Sequence, residues 1–290
     1  ELSHFGHSVN KKRGYILQLK KITTFILICV TCITLFSNCK NKEYDMKLNL
    51  VTFNIRCCDD GPGLMISDRA PRLGAIIDKY DPDVMGLQEC TPAWTDYIEK
   101  NLLDRYDFFL KYRGENSLEG TPILWKKDKF DCIDRGYFWL SDTPERESVS
   151  FDGQYLRICM YVVLREKESG KEFTYFNTHV GFGDECHVKS ADLLYEKYLA
   201  FGGGNTVISA DFNMYPDGAG YARMTEHFTD ANTDHTSPTY HNYDRGGTPG
   251  HIDFCFITDG IKSERALLID DKPGGNFPSD HYGLLFTLSM

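Results

Sequence analysis

The chain has 290 residues, of which 41% are hydrophobic and 26% are charged, a composition that allows a globular protein with a sizeable core. Its formal net charge of −10 lacks the basic surplus expected of a nucleic-acid-binding protein and argues against long polyanionic substrates. There is no low-complexity tract, and the length suits one large α/β domain or two small ones.

The first 39 residues differ in kind from the rest. Lys20 and Lys21 precede an apolar run over residues 22–36, and two small or polar residues then lead to Cys39. This order predicts a secretory signal peptide. The run is shorter than a membrane-spanning helix requires. A short N-terminal membrane anchor or a buried helix is the alternative.

Cys39 is similar to the acylated cysteine of bacterial lipoproteins. The similarity implies a lipid anchor to a membrane at Cys39. We therefore expect an exported protein, either a periplasmic or outer-membrane-anchored cell-envelope lipoprotein or a secreted protein. Residues 1–39 form the predicted leader, residues 40–46 a short tether, and residues 47–290 a single domain.

Apolar runs in this domain predict strands at residues 48–53, 84–87, 108–112, 123–125, 130–137, 156–164, 173–178, 207–210, 252–257 and 282–288. Helical periodicity predicts helices at residues 69–80, 92–102 and 187–200, and residues 141–154 read as a loop. Strands outnumber helices and occur in runs that helices interrupt. This order favours mixed sheets in one α/β domain over a doubly wound parallel fold.

The cysteines after the leader are scattered and odd in number: Cys57, Cys58, Cys90, Cys132, Cys159, Cys186 and Cys255. They include no Cys-x-x-Cys pair, so we expect neither a zinc ribbon nor a disulfide framework. The glycines at 202–204 precede a strand and no Gly-Lys-Ser/Thr follows them, so they predict a turn and not a phosphate-binding loop.

Four predicted strands end in a residue that can bind a metal or transfer a proton. These residues are Asn54, Glu89, His179 and Asp211, and Asn213 follows two positions after Asp211. Ligand sites of α/β sheets gather at the carboxyl ends of strands. A single polar residue there is more often a turn residue or a helix cap, but four together predict a site.

Two further signals come late in the chain. Asp253 lies within an apolar strand, where a carboxylate is costly unless it is paired or holds a metal. Asp280 and His281 are adjacent and precede the last strand. Taken alone, this dipeptide suggests a surface turn.

Six segments, in this order, resemble the motifs of the endonuclease/exonuclease/phosphatase superfamily, which has the deoxyribonuclease I-like fold. They are TFNIR at 52–56, GLQE at 86–89, NTH at 177–179, ADFN at 210–213, IDF at 252–254 and PSDHY at 278–282. The resemblance spans residues 48–288. It implies an α/β fold with four layers, an α/β/β/α sandwich of two mixed sheets with the site between them. It also implies a divalent-metal-dependent hydrolase of phosphate esters.

The resemblance also implies roles for individual residues. Glu89, helped by Asn54, would bind Mg²⁺ or Mn²⁺, which prefer oxygen ligands. His281, oriented by Asp280, would activate the attacking water as general base. Asp211 is the alternative group for orienting that water or assisting the leaving oxygen.

Asn213 would donate a hydrogen bond to the phosphate, and His179, balanced by Asp253, would stabilise the transition state or protonate the leaving group. Which histidine is the acid and which the base stays open. Arg157 and Glu119 match substrate-phosphate positions of the family loosely. Many members continue the NTH motif with Leu-Asp-His, whereas residues 180–182 here are VGF, so the rim of the pocket differs.

The substrate class is open. The acidic charge and the expected export favour a phosphodiesterase or phosphatase that acts on a small or lipid-linked phosphate ester. A secreted endonuclease or exonuclease on DNA or RNA is the alternative, and it would need a groove of basic and aromatic residues. A catalytically inactive surface-binding lipoprotein is a third reading. No protein partner is predicted.

Overall fold

The computed structural model describes residues 46–290. The predicted leader, the lipid attachment at Cys39 and residues 40–45 of the predicted tether lie outside the described residues. The strands are β1 (Lys47–Asn54), β2 (Val84–Gln88), β3 (Tyr106–Phe109), β4 (Tyr112–Gly114), β5 (Ser117–Gly120), β6 (Ile123–Lys126), β7 (Phe130–Trp139), β8 (Ile158–Glu166), β9 (Glu172–His179), β10 (Thr206–Asp211), β11 (Thr229–Asp230), β12 (Asp253–Ile257), β13 (Lys262–Ile269) and β14 (Gly283–Ser289). The α-helices are α1 (Ile66–Tyr80), α2 (Pro92–Asn101), α3 (Asp184–Ala200) and α4 (Ala219–Thr225).

The strands form two large sheets. The first has the order β13-β14-β1-β2-β6-β3 and the second the order β11-β12-β10-β9-β8-β7, while β4 and β5 pair as a separate hairpin. Each large sheet is mixed, since β1–β2 and β9–β10 are parallel and their other neighbours are antiparallel. The parallel strands lie at the centre of each sheet and are largely buried on both faces.

The main core lies between the two sheets. Leu50 and Phe286 of the first sheet and Met160, Tyr175 and Val207 of the second belong to one cluster and are completely buried. Their inward positions follow the period of two that a strand imposes on its side chains. This contact holds the two sheets face to face.

Helices cover both outer faces. In α1, Leu73, Ile76 and Ile77 recur at helical spacing and pack with α2 in the cluster on the outside of the first sheet. Leu194 of α3 packs with Phe176 in the cluster on the outside of the second sheet. The four layers are therefore helix, sheet, sheet and helix, which confirms the predicted α/β/β/α sandwich.

The structure departs from the predicted elements in several places. Helix α1 begins at Ile66, three residues before the predicted start, because the carboxylates of Asp59 and Asp68 accept the first free N–H groups. The predicted strand 108–112 is divided between β3 and β4. Strand β13 and helix α4 were missed. None of the helices within residues 46–290 has the length and apolar character needed to cross a membrane.

Candidate active site

The carboxyl ends of the central strands meet at one end of the sandwich. Asn54 ends β1, and Glu89 directly follows β2, which pairs with β1 in parallel. In the second sheet, Asp211 at the end of β10 is in register with both His179 of β9 and Asp253 of β12. The two parallel pairs thus bring Asn54, Glu89, His179 and Asp211 to the same edge, in agreement with the strand-end argument, and the antiparallel strand β12 adds Asp253.

A cleft of about 590 Å³ opens at this edge. Eight of the residues predicted for the site line it: Glu89, Glu119, Arg157, His179, Asp211, Asn213, Asp280 and His281. The other two, Asn54 and Asp253, are buried behind the lining and bonded to Asp211 and His281. Asp280 and His281 are buried too, so the surface turn suggested by the dipeptide alone is wrong.

Asn54 links the two sheets at the base of the cleft. Its amide Nδ2 donates hydrogen bonds of 2.9 Å to both Glu89 Oε1 and Asp211 Oδ2. Its Oδ1 accepts the backbone N–H of Arg56 at 2.9 Å. Asn54 therefore holds the two carboxylates in place. Its predicted role as a metal ligand would require rotation of the amide group, because the nitrogen now faces the carboxylates.

Glu89 is partly buried and ionised. Burial works against its charge, while the nearby His179 and hydrogen bonds from Asn54 and from the backbone N–H of Cys57 lower its pKa to about 2. Burial and the charge of Arg157 lower the pKa of His179 well below its usual value, so this imidazole is neutral near pH 7. At neutral pH, where His179 carries no charge, the hydrogen bonds to Glu89 are therefore what keeps the pKa of Glu89 low.

The histidine–carboxylate pairing differs from the predicted one. His281 Nδ1 bonds Asp253 Oδ2 at 2.9 Å, whereas the prediction paired His281 with Asp280 and His179 with Asp253. Asp280 instead lies 3.6 Å from Arg56 Nε. Strand register explains the His281–Asp253 pair. Strand β12 carries Asp253 into the buried space beside Asp211, and His281 also projects into this space.

The charge state of His281 follows from this pairing. Burial alone would lower the pKa of His281, but Asp253, Asp211 and Asp280 raise it to about 10. Burial and the neighbouring charge of Asp253 raise the pKa of Asp211. The buried site therefore contains a charged imidazole facing a carboxylate that protonates easily.

His179 is held by Asn213. The Asn213 amide Nδ2 lies 3.0 Å from His179 Nε2 and also donates to the carbonyl of Val180 at 3.0 Å. Since an amide N–H can only donate, His179 Nε2 accepts and Nδ1 carries the proton. Within the described residues this buried Nδ1 has no hydrogen-bond partner, and it lies 3.9 Å from Glu119 Oε1. It is an unsatisfied donor on a residue that lines the cleft.

Glu119 and Arg157 lie on the β8 side of the cleft. Arg113 Nη1 bonds Glu119 Oε1 at 2.7 Å, and Arg157 Nη1 lies 4.0 Å from the same oxygen. Arg157 is buried, which lowers its pKa, but an arginine stays charged near neutrality. The predicted contacts of Glu119 and Arg157 with phosphate stay predictions.

Three of the seven non-glycine residues with positive φ in the described part of the chain lie at this edge. Arg56, Glu89 and Asn213, each just past the end of a central strand, have φ angles of 62°, 63° and 51°. Left-handed backbone is unfavourable for residues other than glycine and recurs at functional sites. The strain at Glu89 and Asn213 turns their side chains back into the cleft.

The chemistry of the donors fits a divalent cation. Ligand atoms of Glu89, His179 and Asp211 lie within 4.8 Å of one another, as do those of Asp211, Asp253 and His281. Asp211 and Asp253 share one buried space, where burial and repulsion from the charge of Asp253 raise the pKa of Asp211. A hard cation relieves such repulsion and prefers these oxygen ligands.

Nine further residues line the cleft, and the sequence prediction gave none of them a role in the chemistry, although it placed residues 180–182 at the pocket rim: Arg56, Cys57, Arg113, Tyr155, Phe182, Tyr215, Tyr240, Thr248 and Ile252. Arg56 could have been found from its place in the TFNIR motif. Tyr240 comes from a distant loop and forms a bridge with His281, for which no local pattern exists. A second groove, of about 620 Å³, lies beside β3, β4 and α2 and contains none of the predicted site residues.

The chain is similar to known proteins over most of the domain. A family model described as the Endonuclease/Exonuclease/phosphatase family matches residues 51–281. A solved structure of an endonuclease/exonuclease/phosphatase family protein from Bacteroides thetaiotaomicron is 27% identical with a TM-score of 0.78, covering 85% of this chain and 98% of that one. The mannosyl-6-phosphatase Bt3783 of the same species is 26% identical with a TM-score of 0.75, covering 83% and 99%.

Curated relatives match over a shorter part of the chain. Tyrosyl-DNA phosphodiesterase 2 of Danio rerio is 27% identical over 137 residues, which is 46% of this chain and 34% of that protein. This chain matches another curated relative over 55% of that protein's length. The chain therefore spans about half or less of the length of these curated relatives.

Proposed function

Since the chain belongs to the endonuclease/exonuclease/phosphatase family, whose members are phosphate ester hydrolases, we propose that it is a divalent-metal-dependent phosphodiesterase or phosphatase of small or lipid-linked phosphate esters. One observation carries the proposal: Glu89, Asp211, Asn213, His179 and the Asp253–His281 pair converge on a single cleft. The similarity to a mannosyl-6-phosphatase supports a phosphatase.

Asp211 is the group that takes the proton from the attacking water. Its raised pKa makes it a better base near neutral pH than an ordinary carboxylate. The Asn54 amide and the backbone N–H of Asn213 each bond one of its oxygens, at 2.9 and 3.0 Å, which fixes its direction. In the prediction Asp211 was the alternative group for orienting that water or assisting the leaving oxygen, with His281 as the base; here Asp211 also takes the proton.

His281 donates a hydrogen bond to the phosphoryl group. With a pKa of about 10 it holds its proton, and the bond from Nδ1 to Asp253 leaves Nε2 as the donor toward the cleft. A buried cationic donor aimed at developing negative charge stabilises the transition state. The free Nδ1–H of His179 serves as a second donor, to a phosphate or leaving-group oxygen.

Glu89 would hold the cation, with the Asn54 and Asp211 side chains beside it. When bound, Mg²⁺ or Mn²⁺ neutralises phosphate charge and polarises the P–O bond.

The charge around the cleft supports a small substrate. Arg56 pairs with Asp60, and Arg113 pairs with Glu119. Two of the lining cations are thus already neutralised by carboxylates, whereas a groove for long nucleic acids needs unpaired basic residues along the backbone path. The similarity to a tyrosyl-DNA phosphodiesterase favours, as second candidate, a phosphodiesterase or nuclease acting on DNA.

We also propose that the protein works outside the cytoplasm, as a lipoprotein anchored through Cys39 or as a secreted enzyme. This proposal rests on the sequence of residues 1–39.

Hydrolysis by a protein that starts at Lys40 tests the function. The substrates are plasmid DNA, RNA, aryl phosphate mono- and diesters, sphingomyelin and inositol phosphates, each with Mg²⁺, Mn²⁺ or EDTA. We expect metal-dependent turnover of small esters that falls about 10²- to 10³-fold in His281→Ala. Activity on DNA that drops steeply with salt would instead establish the second candidate. No turnover by folded protein in any assay would contradict the hydrolase.

A further inference from the structure

We propose that a rim beside the catalytic cleft, formed by Tyr155, Phe182, Arg113 and Glu119, binds the organic part of the substrate, and that this part is a sugar ring. The four residues line the same cleft as the predicted catalytic residues. The inference rests on the proposed function and names the class of phosphate ester that the site takes.

The rim presents two exposed aromatic side chains. Tyr155 and Phe182 are 42% and 47% exposed, and their ring centroids lie 6.1 Å apart at an interplanar angle of 68°. Large aromatic side chains that stay exposed next to a polar cleft supply contact area at low entropic cost when a ligand covers them. Phe182 is also the position where the chain departs from the Leu-Asp-His continuation of many family members.

Two arginines hold these rings. The guanidinium carbon of Arg157 lies 5.2 Å from the Tyr155 ring centroid and 5.8 Å from that of Phe182. The guanidinium of Arg113 lies 6.0 Å from the Tyr155 ring. These cation–π contacts position the rings while leaving more than 40% of each side chain open to solvent.

Asp152 joins the two loops that carry the rings. Its Oδ1 accepts the backbone N–H groups of Gln154 and Tyr155, and its Oδ2 accepts the backbone N–H of Phe182 at 3.1 Å. A side chain at Gly181 would meet Asp152 Oδ2 at 2.3 Å, so the close approach requires glycine there. The carboxylate therefore preorganises the rim before any ligand binds.

The polar half of the rim suits hydroxyl groups. Arg113 and Glu119 are bonded at 2.7 Å and together offer N–H donors and a carboxylate acceptor. A carboxylate repels a phosphate but accepts a hydrogen bond from a hydroxyl. A sugar ring combines an apolar C–H face with an edge of hydroxyls, which matches the aromatic and polar halves. A nucleobase offers a flat face but no row of hydroxyls.

Steady-state kinetics with matched esters tests the rim. The substrates are a hexose phosphate esterified at the primary hydroxyl, glycerol phosphate, which lacks a ring, and adenosine monophosphate. We expect Tyr155→Leu and Phe182→Leu each to raise KM for the hexose phosphate about tenfold, with KM for glycerol phosphate changed less than about twofold. Asp152→Asn should raise the same KM with little change in kcat, because it acts by positioning both rings.

Tyr137→Leu is the matched control. Tyr137 is 40% exposed and stacks edge-on against Trp139 outside the cleft, so its loss should leave both substrates unaffected. Equal effects of the rim variants on hexose and glycerol phosphate would overturn the proposal. A wild-type preference for adenosine monophosphate that the rim variants abolish would also overturn it, in favour of base recognition.

Calorimetric titration separates this inference from the proposed hydrolysis. The wild type and Phe182→Leu are titrated with the hexose phosphate in the presence of Mg²⁺. Binding that weakens in the variant supports the rim even if no ester is hydrolysed, in which case the proposed hydrolysis fails alone. No binding to the wild type would overturn the rim as well.

Discussion

Asp253 shows how one buried carboxylate sets the charge of a neighbouring side chain. It keeps His281 protonated by bonding Nδ1, and the same negative charge raises the pKa of Asp211. In water two such charges would interact by only about 1 kcal/mol, but burial strengthens the interaction severalfold. The proposed catalytic roles of His281 and Asp211 therefore depend on the charge of Asp253, although Asp253 does not line the cleft.

Replacing Asp253 by asparagine should change the pH dependence of catalysis. The pKa of His281 is raised, so activity that needs the imidazolium persists below about pH 10 and is lost as pH rises through it. Without the charge of Asp253 this alkaline limb should move to lower pH. We also expect kcat to fall about 10²- to 10⁴-fold. The pH profile of kcat/KM checks this, and an unmoved alkaline limb would contradict the pairing.

Glu89 should control metal dependence with little effect on folding. Glu89→Gln keeps the shape of the side chain but removes the charge, so we expect the Mn²⁺ concentration for half-maximal activity to rise at least about tenfold. Metal titration of activity, with circular dichroism to verify folding, measures it. An unchanged Mn²⁺ requirement would place the cation on other residues.

At the scale of elements, Arg69 ties helix α1 to the loop that follows β1. Its buried guanidinium donates to the carbonyl oxygens of Ile55, Arg56, Cys58 and Leu64. These carbonyls belong to the turn that presents Arg56 to the cleft. The helix thus positions a part of the site that it does not enter.

Arg69→Met should destabilise the protein without removing apolar packing. Several buried carbonyls would lose their donor, and each unsatisfied group costs about 1–3 kcal/mol. We expect the free energy of unfolding to fall by at least about 3 kcal/mol, measured by urea denaturation. Arg72→Met, which removes an arginine one turn further along α1, is the control and should cost less, since part of its bonding is exposed. Equal losses in both variants would contradict the special role of Arg69.

At the scale of the whole molecule, a buried polar network joins the two sheets beneath the cleft. Asn177 of β9 donates to the carbonyls of Leu87, Thr121 and Pro122, and its Oδ1 accepts from Gln88 Nε2 at 2.7 Å. An apolar interface alone permits sliding of one sheet over the other. These directional bonds set the relative position of the two strand edges that make up the site.

The acid stability of the fold should depend on buried histidines. Burial lowers the pKa of His241 from 6.5 to about 4, and its Nδ1 accepts the backbone N–H of Tyr243. The unfolded chain therefore binds a proton that the folded protein resists, so stability falls as pH drops from about 6.5 toward 4. His241→Asn should reduce this slope by up to about 1.4 kcal/mol per pH unit, the limit for one proton. Urea denaturation across this pH range measures it, and an unchanged slope would show that other groups dominate.

Much of the fold was determined by the sequence alone, because local patterns carry it. The buried strands β1, β2, β9 and β10 read as apolar runs. The polar residue at the end of each strand is visible in the sequence itself. Strand β13 was missed because its first half, over residues 262–265, is charged and exposed at a sheet edge and lacks a hydrophobic signal.

Only the tertiary structure decided which side chains face one another. The sequence marked Asp253, Asp280 and His281 but assigned the wrong partner to His281, because strand register and side-chain direction are not contained in local order. The pairing of Tyr155 with Phe182 likewise escaped prediction, since the Asp152 carboxylate joins their two loops across a sequence separation that no local pattern spans. The sequence thus determined which chemical groups the protein has, and long-range packing decided how they are paired.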